Sequence, residues 1–209
     1  MCIRDSMNIK MLSYFKVNLD CNLIENYSDT LVVLLPGIGY TGDRPLMDYS
    51  KRLASEMRYD VLSIEYGFQV ARTSLNHSDE FSIVIRETRE IILKALNDKY
   101  RKIVFIGKSI GTLVQTSIEE KLAKYETFNI YLTPVSETIK VGIKENSLII
   151  AGNNDPMINN DALHKLREMS NVKFLEIEGA DHSLNIKNDT MKSIDAVSYT
   201  HLRAHETEL

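Results

Sequence analysis

The stretch KIVFIGKSIGTLV, residues 102–114, decides the fold. Its first half is a continuous apolar run, which predicts a strand buried on both faces of a sheet. A helix is predicted to follow over residues 110–124. Ser109 lies at the junction, flanked by Gly107 and Gly111 in a Gly-x-Ser-x-Gly pattern. The first question is whether this serine carries chemistry or only caps the helix that follows it.

Strands and helices alternate along most of the chain, which predicts an α/β fold with a mostly parallel, doubly wound sheet. The carboxyl ends of parallel strands share one edge of such a sheet, and ligands bind there. Functional residues are therefore expected directly after strands. Besides the two central elements, strands are predicted at 11–19, 30–38, 59–66, 127–135, 147–152 and 172–179, and helices at 44–58, 79–98, 159–169 and 186–196.

Composition restricts the classes of function. The 209 residues are 44% hydrophobic, which suits one domain, and the net charge of −4 argues against a nucleic-acid partner. No apolar run approaches the roughly 18 residues of a membrane span. Cys2 and Cys21 lack metal or redox spacing, so Cys21 is expected to be a buried thiol. These features predict a cytoplasmic protein without a metal site, and they leave its oligomeric state open.

The two ends of the chain differ in character from the rest. MCIRDS at 1–6 and VSYTHLRAHETEL at 197–209 resemble translated sequencing-adapter read-through. A single domain is therefore expected over 7–196, between two non-native tails. Two of the five histidines fall in the second tail, which leaves His77, His164 and His182.

Two phosphate-binding patterns compete with the serine motif. A P-loop ending at Ser109 would need glycine at the position of Lys102. GIGYTG, residues 37–42, matches a dinucleotide fingerprint, with Glu65 placed to bind a ribose. A helix starting at the second glycine would enclose Pro45, at a cost of about 3 kcal/mol. With Asp43 as its N-cap, the helix starts later and GIGYTG is a loop, which disfavours the dinucleotide reading.

Two other strand ends supply partners for a nucleophilic serine, which needs a base and an acid that orients the base. Asp155 follows the strand SLIIAG, and His182 follows the strand VKFLEIEG. The order serine, aspartate, histidine is the one that this topology requires. The alternative for Asp155 is a purely structural role in the Asn-Asp-Pro turn, since that sequence favours turns.

The remaining acids and histidines are less well placed for catalysis. Asp181 is the sequence neighbour of His182 and is poorly positioned to orient it, and Asp161 is expected to begin a helix. His77 lies in a polar loop and His164 on a charged helix, so both are expected at the surface.

A nucleophilic serine also needs two backbone donors for the developing oxyanion. The N–H of Ile110, directly after the serine, is one candidate. The loop after the strand TLVVLL supplies the other, with Ile38 first and Gly39 next. The alternative for this loop is a tight glycine turn without chemistry.

The motifs VLLPGIGYTG, FIGKSIG, IIAGNNDP and EGADHSL together resemble the α/β-hydrolase superfamily. The chain is most similar to its small cap-less members, such as dienelactone-hydrolase-like proteins and short bacterial esterases. The resemblance implies an α/β-hydrolase fold without a lid domain, an open site and no cofactor. Two departures are visible: Pro36 stands where the family usually carries histidine, and Ser109 replaces the cysteine of true dienelactone hydrolases, which makes a lactone substrate doubtful.

The function expected from these motifs is hydrolysis of a small ester or thioester through an acyl-enzyme, with a small-molecule acyl substrate. Two alternatives stay open: acyl transfer by the same three residues, and a catalytically silent hydrolase fold that binds a partner. Five residues after strand ends are candidates for the substrate pocket: Tyr40, Tyr66, Phe68, Arg72 and Thr133.

Overall fold

The computed structural model describes residues 5–76, 79–118, 122 and 124–206. Its described strands form one sheet in the order β1-β2-β4-β3-β5-β6-β7-β8. Strands β3 to β8 run parallel, whereas β2 pairs antiparallel with both β1 and β4. The strands are β1 (Asp5–Leu12), β2 (Asn18–Glu25), β3 (Thr30–Leu35), β4 (Asp60–Ser63), β5 (Lys102–Lys108), β6 (Glu126–Leu132), β7 (Ser147–Gly152) and β8 (Lys173–Ile177).

Helices cover both faces of the sheet, as the alternation of elements predicts. Side chains of α1 and α7 pack on one face with those of β3, β5 and β7. Helices α3, α4, α5 and α6 cover the other face. The doubly wound architecture is thus confirmed. The helices are α1 (Pro45–Glu56), α2 (Gly67–Val70), α3 (Phe81–Ala95), α4 (Ile110–Ile118), α5 (Ser136–Val141), α6 (Asn160–Glu168) and α7 (Thr190–Glu206).

The first strand prediction, at 11–19, is wrong. A turn closes at this point, where the N–H of Ser13 donates to the carbonyl of Val17 at 2.9 Å. The buried carboxylate of Glu87 on α3 holds the turn, accepting from the Ser13 hydroxyl at 2.9 Å and from the N–H of Tyr14 at 2.6 Å. The apolar alternation continues across this turn, so the pattern alone does not reveal the hairpin of β1 and β2.

Other boundaries differ in detail from the expected ones. The short helices α2 and α5 were not predicted, because four to six residues carry too little periodicity to be detected. Helix α7 begins at Thr190, after the expected start at 186, and continues past the expected end at 196 to Glu206. The limits of the domain at 7 and 196 stay a prediction.

Helix α1 begins at Pro45, one residue after the predicted start at 44, and Asp43 is not its N-cap. Arg44 occupies that position without a side-chain cap, and Asp43 instead accepts a hydrogen bond from the Thr41 hydroxyl. One free N–H group in the first turn of α1 has a partner outside the helix, because the Tyr40 hydroxyl accepts from the N–H of Leu46 at 3.0 Å. The late helix start leaves GIGYTG as a loop, which contradicts the dinucleotide geometry.

Close approach of α4 to the sheet depends on the two glycines that flank Ser109. A Cβ atom on Gly111 would lie 2.2 Å from the carbonyl oxygen of Leu35 at the end of β3. A Cβ on Gly107 would lie 2.4 Å from the side-chain oxygen of Gln115. Any larger residue would push the helix away from the neighbouring ends of β3 and β5, where the chain switches from one face of the sheet to the other.

The connection between β6 and β7 contains only the six-residue helix α5, so no lid domain is inserted there. Cys21 is a buried free thiol as expected, and burial raises its pKa to about 11. None of the helices in the described part of the chain combines the length and apolar character that crossing a membrane requires.

Candidate active site

Ser109 occupies the sharp turn between β5 and α4 in a left-handed backbone conformation, with φ of 57°. Its N–H donates to the carbonyl of Leu132 on β6 at 3.0 Å. Its own carbonyl accepts from the N–H of Thr112 at 3.0 Å and from the Thr112 hydroxyl at 2.5 Å. This region of φ is strained for a serine, and the three hydrogen bonds stabilise the conformation.

Hydrogen bonds connect the three residues predicted from strand ends, from Ser109 to His182 and from His182 to Asp155. His182 Nε2 is 2.8 Å from Ser109 Oγ, and His182 Nδ1 is 2.7 Å from Asp155 Oδ2. The other carboxylate oxygen of Asp155 accepts from the N–H of Met157 at 2.8 Å, which fixes its plane. An ionised Asp155 selects the tautomer with hydrogen on Nδ1, so Nε2 is free to accept the serine proton.

Asp181 does not compete for this role, as predicted. Its Oδ1 accepts from the N–H groups of Ser183 at 2.8 Å and Asn185 at 2.9 Å. These bonds shape the loop that carries His182 after β8, so Asp181 positions the histidine through the backbone.

The loop after β3 lies against the nucleophile. Gly37 and Tyr40 close a tight turn, with Gly37 N–H donating to the Tyr40 carbonyl at 3.0 Å. A Cβ on Gly37 would be only 3.1 Å from the Cβ of Ser109. Within the described residues the N–H groups of Ile38 and Gly39 donate to no acceptor. Ile110 is the first residue of α4, so its N–H also lacks an acceptor within the helix.

Gln69 is a site residue that the sequence did not reveal. It lies in the unpredicted helix α2, and its Nε2 donates to the carbonyls of Gly37 at 2.6 Å and Ile38 at 2.7 Å. No motif contains it, and only the tertiary structure brings it to the turn.

Lys108 is a second residue that the sequence reasoning left without a role. It is the last residue of β5, only 2% exposed, and its Nζ lies 4.8 Å from the centroid of the Tyr40 ring. Burial lowers its pKa to about 8, although the charges of Asp155 and Asp181 oppose the shift. A lysine in register with Val104 and Ile106 on a buried strand face is the signal that could have identified it.

Two of the predicted pocket residues belong to the core instead. Tyr66 and Phe68 are each 2% exposed and stack on one another with ring centroids 5.7 Å apart. They follow β4 as expected, but both side chains turn inward and offer no surface to a substrate. Position after a strand therefore locates a residue along the edge without deciding its direction.

The other predicted pocket residues occupy different positions along the carboxyl edge of the sheet. Tyr40 is half-buried beside Lys108, and Thr133 is buried after β6, with φ of 43° and a hydroxyl without a partner in the described part of the chain. Arg72 is exposed and lines a cavity of about 300 Å³ that also contains Gln69 and Glu65. His164 is exposed on α6 as predicted, whereas His77 lies outside the residues that the structure describes.

An alpha/beta hydrolase domain model matches residues 28–206, and the chain belongs to this family. The match spans the turn after β3, the elbow at Ser109 and both partner strands. No curated protein matches the sequence.

Solved structures share the fold at low identity. The esterase Pf2001 of Pyrococcus furiosus superposes with a TM-score of 0.70 at 15% identity, covering 98% of this chain and 92% of its own. XC6422 of Xanthomonas campestris, described as an α/β serine hydrolase without lid, gives 0.67 at 14%, covering 98% and 97%. A dienelactone hydrolase of Anabaena variabilis gives 0.67 at 14%, covering 97% and 98%. The fold is therefore shared along nearly the whole chain.

Proposed function

We propose that this protein is a serine hydrolase that cleaves a small ester or thioester through an acyl-enzyme intermediate. The observation that carries the proposal is the chain of contacts from Ser109 to His182 to Asp155, at 2.8 and 2.7 Å, at a strained turn in front of a helix. A serine that only capped α4 would need neither the left-handed backbone nor an oriented imidazole.

In the first half-reaction Ser109 Oγ attacks the acyl carbon while His182 Nε2 takes the hydroxyl proton. The tetrahedral intermediate collapses when the bond to the leaving group breaks, and His182 returns the proton to the departing oxygen or sulfur. Asp155 stabilises the imidazolium in between. Water then attacks the acyl-enzyme by the same route and releases the acid and free Ser109.

The developing oxyanion is stabilised by backbone donors. The N–H of Ile110 at the start of α4 and the N–H of Ile38 in the turn after β3 are the two best placed, with Gly39 adjacent. All three lack acceptors of their own within the described residues or the helix, which is the condition for donating to a substrate. A backbone hole also explains why Pro36 can replace histidine.

The site favours small or extended acyl groups, because no lid domain encloses it. Arg72 is exposed beside the turn and is the charged group available to an anionic part of the substrate. Ester cleavage needs no metal or organic cofactor in this mechanism. Activity is expected to fall on acidification, since only the neutral imidazole of His182 acts as a base.

The decisive experiment is labelling with a fluorophosphonate, read by intact mass. One adduct is expected on the wild type and on Ser117→Ala, which changes a serine on α4 whose hydroxyl donates to the Leu113 carbonyl at 2.7 Å. None is expected on Ser109→Ala. The same Ser109→Ala variant should lose about a million-fold in kcat on p-nitrophenyl acetate or a short thioester. Full labelling of Ser109→Ala, or retention of a tenth of the wild-type activity by that variant, would refute the proposal.

A further inference from the structure

Gln69 makes an unusual pair of contacts with the turn beside the nucleophile. Its single Nε2 atom donates to two consecutive backbone carbonyls, 2.6 Å to Gly37 and 2.7 Å to Ile38. Both acceptors are carbonyl oxygens, so only the NH₂ end of the amide can face them, with one hydrogen for each. Apart from the cross-turn bond between Gly37 and Tyr40, these contacts are what define the two peptide planes.

The two carbonyls belong to the peptide units whose N–H groups are the candidate oxyanion donors. The Gly37 carbonyl shares its peptide with the N–H of Ile38, and the Ile38 carbonyl shares its peptide with the N–H of Gly39. A trans peptide is planar, and its N–H points opposite to its C=O. Binding both oxygens on the Gln69 side therefore directs both N–H groups away from Gln69.

Ser109 packs against the same turn. Gly37 is close enough to Ser109 that an added Cβ would lie 3.1 Å from the serine Cβ. In the sheet β3 lies between β4 and β5. Gln69 belongs to α2, which follows β4, and Ser109 follows β5, so the two residues come from strands on opposite sides of β3. Within the described residues the N–H groups of Ile38 and Gly39 donate to no acceptor, so both can donate to an anion beside the turn.

We infer that Gln69 is a positioning residue for the oxyanion hole, which orients and polarises the Ile38 and Gly39 peptides through their carbonyl oxygens. This role rests on the proposed hydrolase function and adds a residue that no motif of the sequence contains. Gln69 touches no reacting atom in it.

The chemistry explains why a glutamine suits this position. Hydrogen bonds accepted by a carbonyl strengthen the donor ability of the N–H in the same peptide unit. A neutral amide does this without adding a charge that would attract the oxyanion away from the backbone donors. It also fixes the donors before substrate arrives, so no reorganisation is needed as charge develops.

Three variants test the inference. Gln69→Met keeps the length of the side chain and removes both donors. Gln69→Glu keeps the shape but presents a carboxylate, which repels the two carbonyl oxygens unless it is protonated. Thr73→Val is the matched control, because the Thr73 hydroxyl, just after α2, donates to the Phe68 carbonyl at 3.5 Å and, among the described residues, to no atom of the turn after β3. Each variant is first checked for folding by its thermal midpoint.

Kinetics on p-nitrophenyl acetate separate positioning from packing. Since losing a whole oxyanion donor costs about 10²- to 10³-fold in kcat, weakening its orientation is expected to cost about 10- to 100-fold in Gln69→Met, with KM within about threefold. Binding of a boronic acid that mimics the tetrahedral intermediate should weaken by a similar factor. Thr73→Val should stay within about twofold of wild type in both.

The Gln69→Glu variant adds a pH signature. The ratio of its kcat to that of wild type should rise as pH falls, because a protonated carboxyl regains one O–H donor toward the turn. A folded Gln69→Met with kcat within twofold of wild type, or a flat ratio for Gln69→Glu, would overturn the inference. Failure of the hydrolase proposal is distinguishable, since wild type would then take no fluorophosphonate adduct.

Discussion

The two edges of the sheet treat a buried charge in opposite ways. At the amino end of β4 the carboxylate of Asp60 is surrounded by donors: Lys99 Nζ at 2.7 Å, the Tyr100 hydroxyl at 2.7 Å, and the N–H groups of Asn26 at 2.7 Å and Ser28 at 3.1 Å. Burial opposes its ionisation, yet the hydrogen bonds outweigh burial and lower the pKa of Asp60. The charge at this edge is fully compensated.

At the carboxyl edge the ammonium of Lys108 is buried at the end of β5 without an ion-pair partner among the described residues. It lies 4.8 Å from the centroid of the Tyr40 ring, and the charges of Asp155 and Asp181 offset its burial only in part. Left-handed backbones occur at both edges, at Ser109 and Thr133 here and at Tyr27, Arg58 and Asn146 at the amino edge, so the contrast lies in the buried charges. The difference teaches that the amino edge is built for stability, whereas the carboxyl edge carries a buried charge without an ion-pair partner beside Ser109. Removing residues at the two edges should therefore have separable consequences.

The largest expected effect is on activity at the carboxyl edge. Asp155→Asn keeps the shape but stabilises the wrong histidine tautomer, so kcat on a short ester should fall about 10⁴-fold. The thermal midpoint should change little, because the neutral amide can still accept from the N–H of Met157. A loss below tenfold would contradict the assignment of Asp155 as the orienting acid.

The next effect is on stability at the amino edge. Asp60→Ala leaves the Tyr100 hydroxyl and two backbone N–H groups without their acceptor, so the free energy of unfolding should fall by about 3 to 5 kcal/mol. Chemical denaturation measures this change, and kcat of the remaining folded protein should match wild type. If activity fell more than stability, the two edges would be coupled and the comparison would fail.

A smaller gain in stability is expected when the uncompensated lysine is removed. The pKa of Lys108 falls from 10.5 to about 8 on folding, which corresponds to a cost of roughly 3 kcal/mol at pH 7. Lys108→Met should raise the free energy of unfolding by up to that amount. The unfolded chain binds more protons between pH 8 and 10.5, so wild-type stability rises over this window and the advantage of the variant shrinks.

The matched control for that measurement is Lys94→Met, because Lys94 is exposed on α3 and the same substitution there removes a lysine without removing a buried ammonium. A Lys108→Met protein that is less stable than wild type at pH 7 would show that the ammonium is compensated after all. Its activity reports separately whether the charge assists the oxyanion.

The smallest expected effect is the acid response of the amino edge. The pKa of Asp60 is lower in the folded protein than its ordinary 3.8, so its contribution is complete above that value and is lost as pH falls through the folded pKa. Unfolding of wild type and Asp60→Asn at pH 5 and pH 3 measures it. The variant should lose less stability on acidification; an equal loss would assign the acid response to other carboxylates.

Prediction from the sequence worked best where a rule of topology applied. Parallel strands end at one edge, so Ser109, Asp155 and His182 could be expected near each other before any coordinates were known. The same rule misassigned Tyr66 and Phe68, because it specifies a place along the edge and not the direction of a side chain. The hairpin of β1 and β2 was missed because its turn does not interrupt the apolar alternation.

The contacts of Gln69 could not be predicted from a local sequence pattern. It lies in a four-residue helix without periodicity, and its two acceptors are more than thirty positions earlier in the chain. Hydrogen bonds between distant backbone and side-chain atoms depend on the packing of α2 against the turn after β3.

The sequence by itself determined the strands from β3 to β8 and the longer helices between them, the doubly wound sheet and the three residues at its carboxyl edge, because apolar periodicity and glycine spacing are local properties of the chain. Only the tertiary structure decided which charges are compensated, as at Asp60 and not at Lys108, and which side chain binds the turn beside Ser109. Those properties depend on distances between elements far apart in the chain, and burial sets their free energy only once these elements have packed.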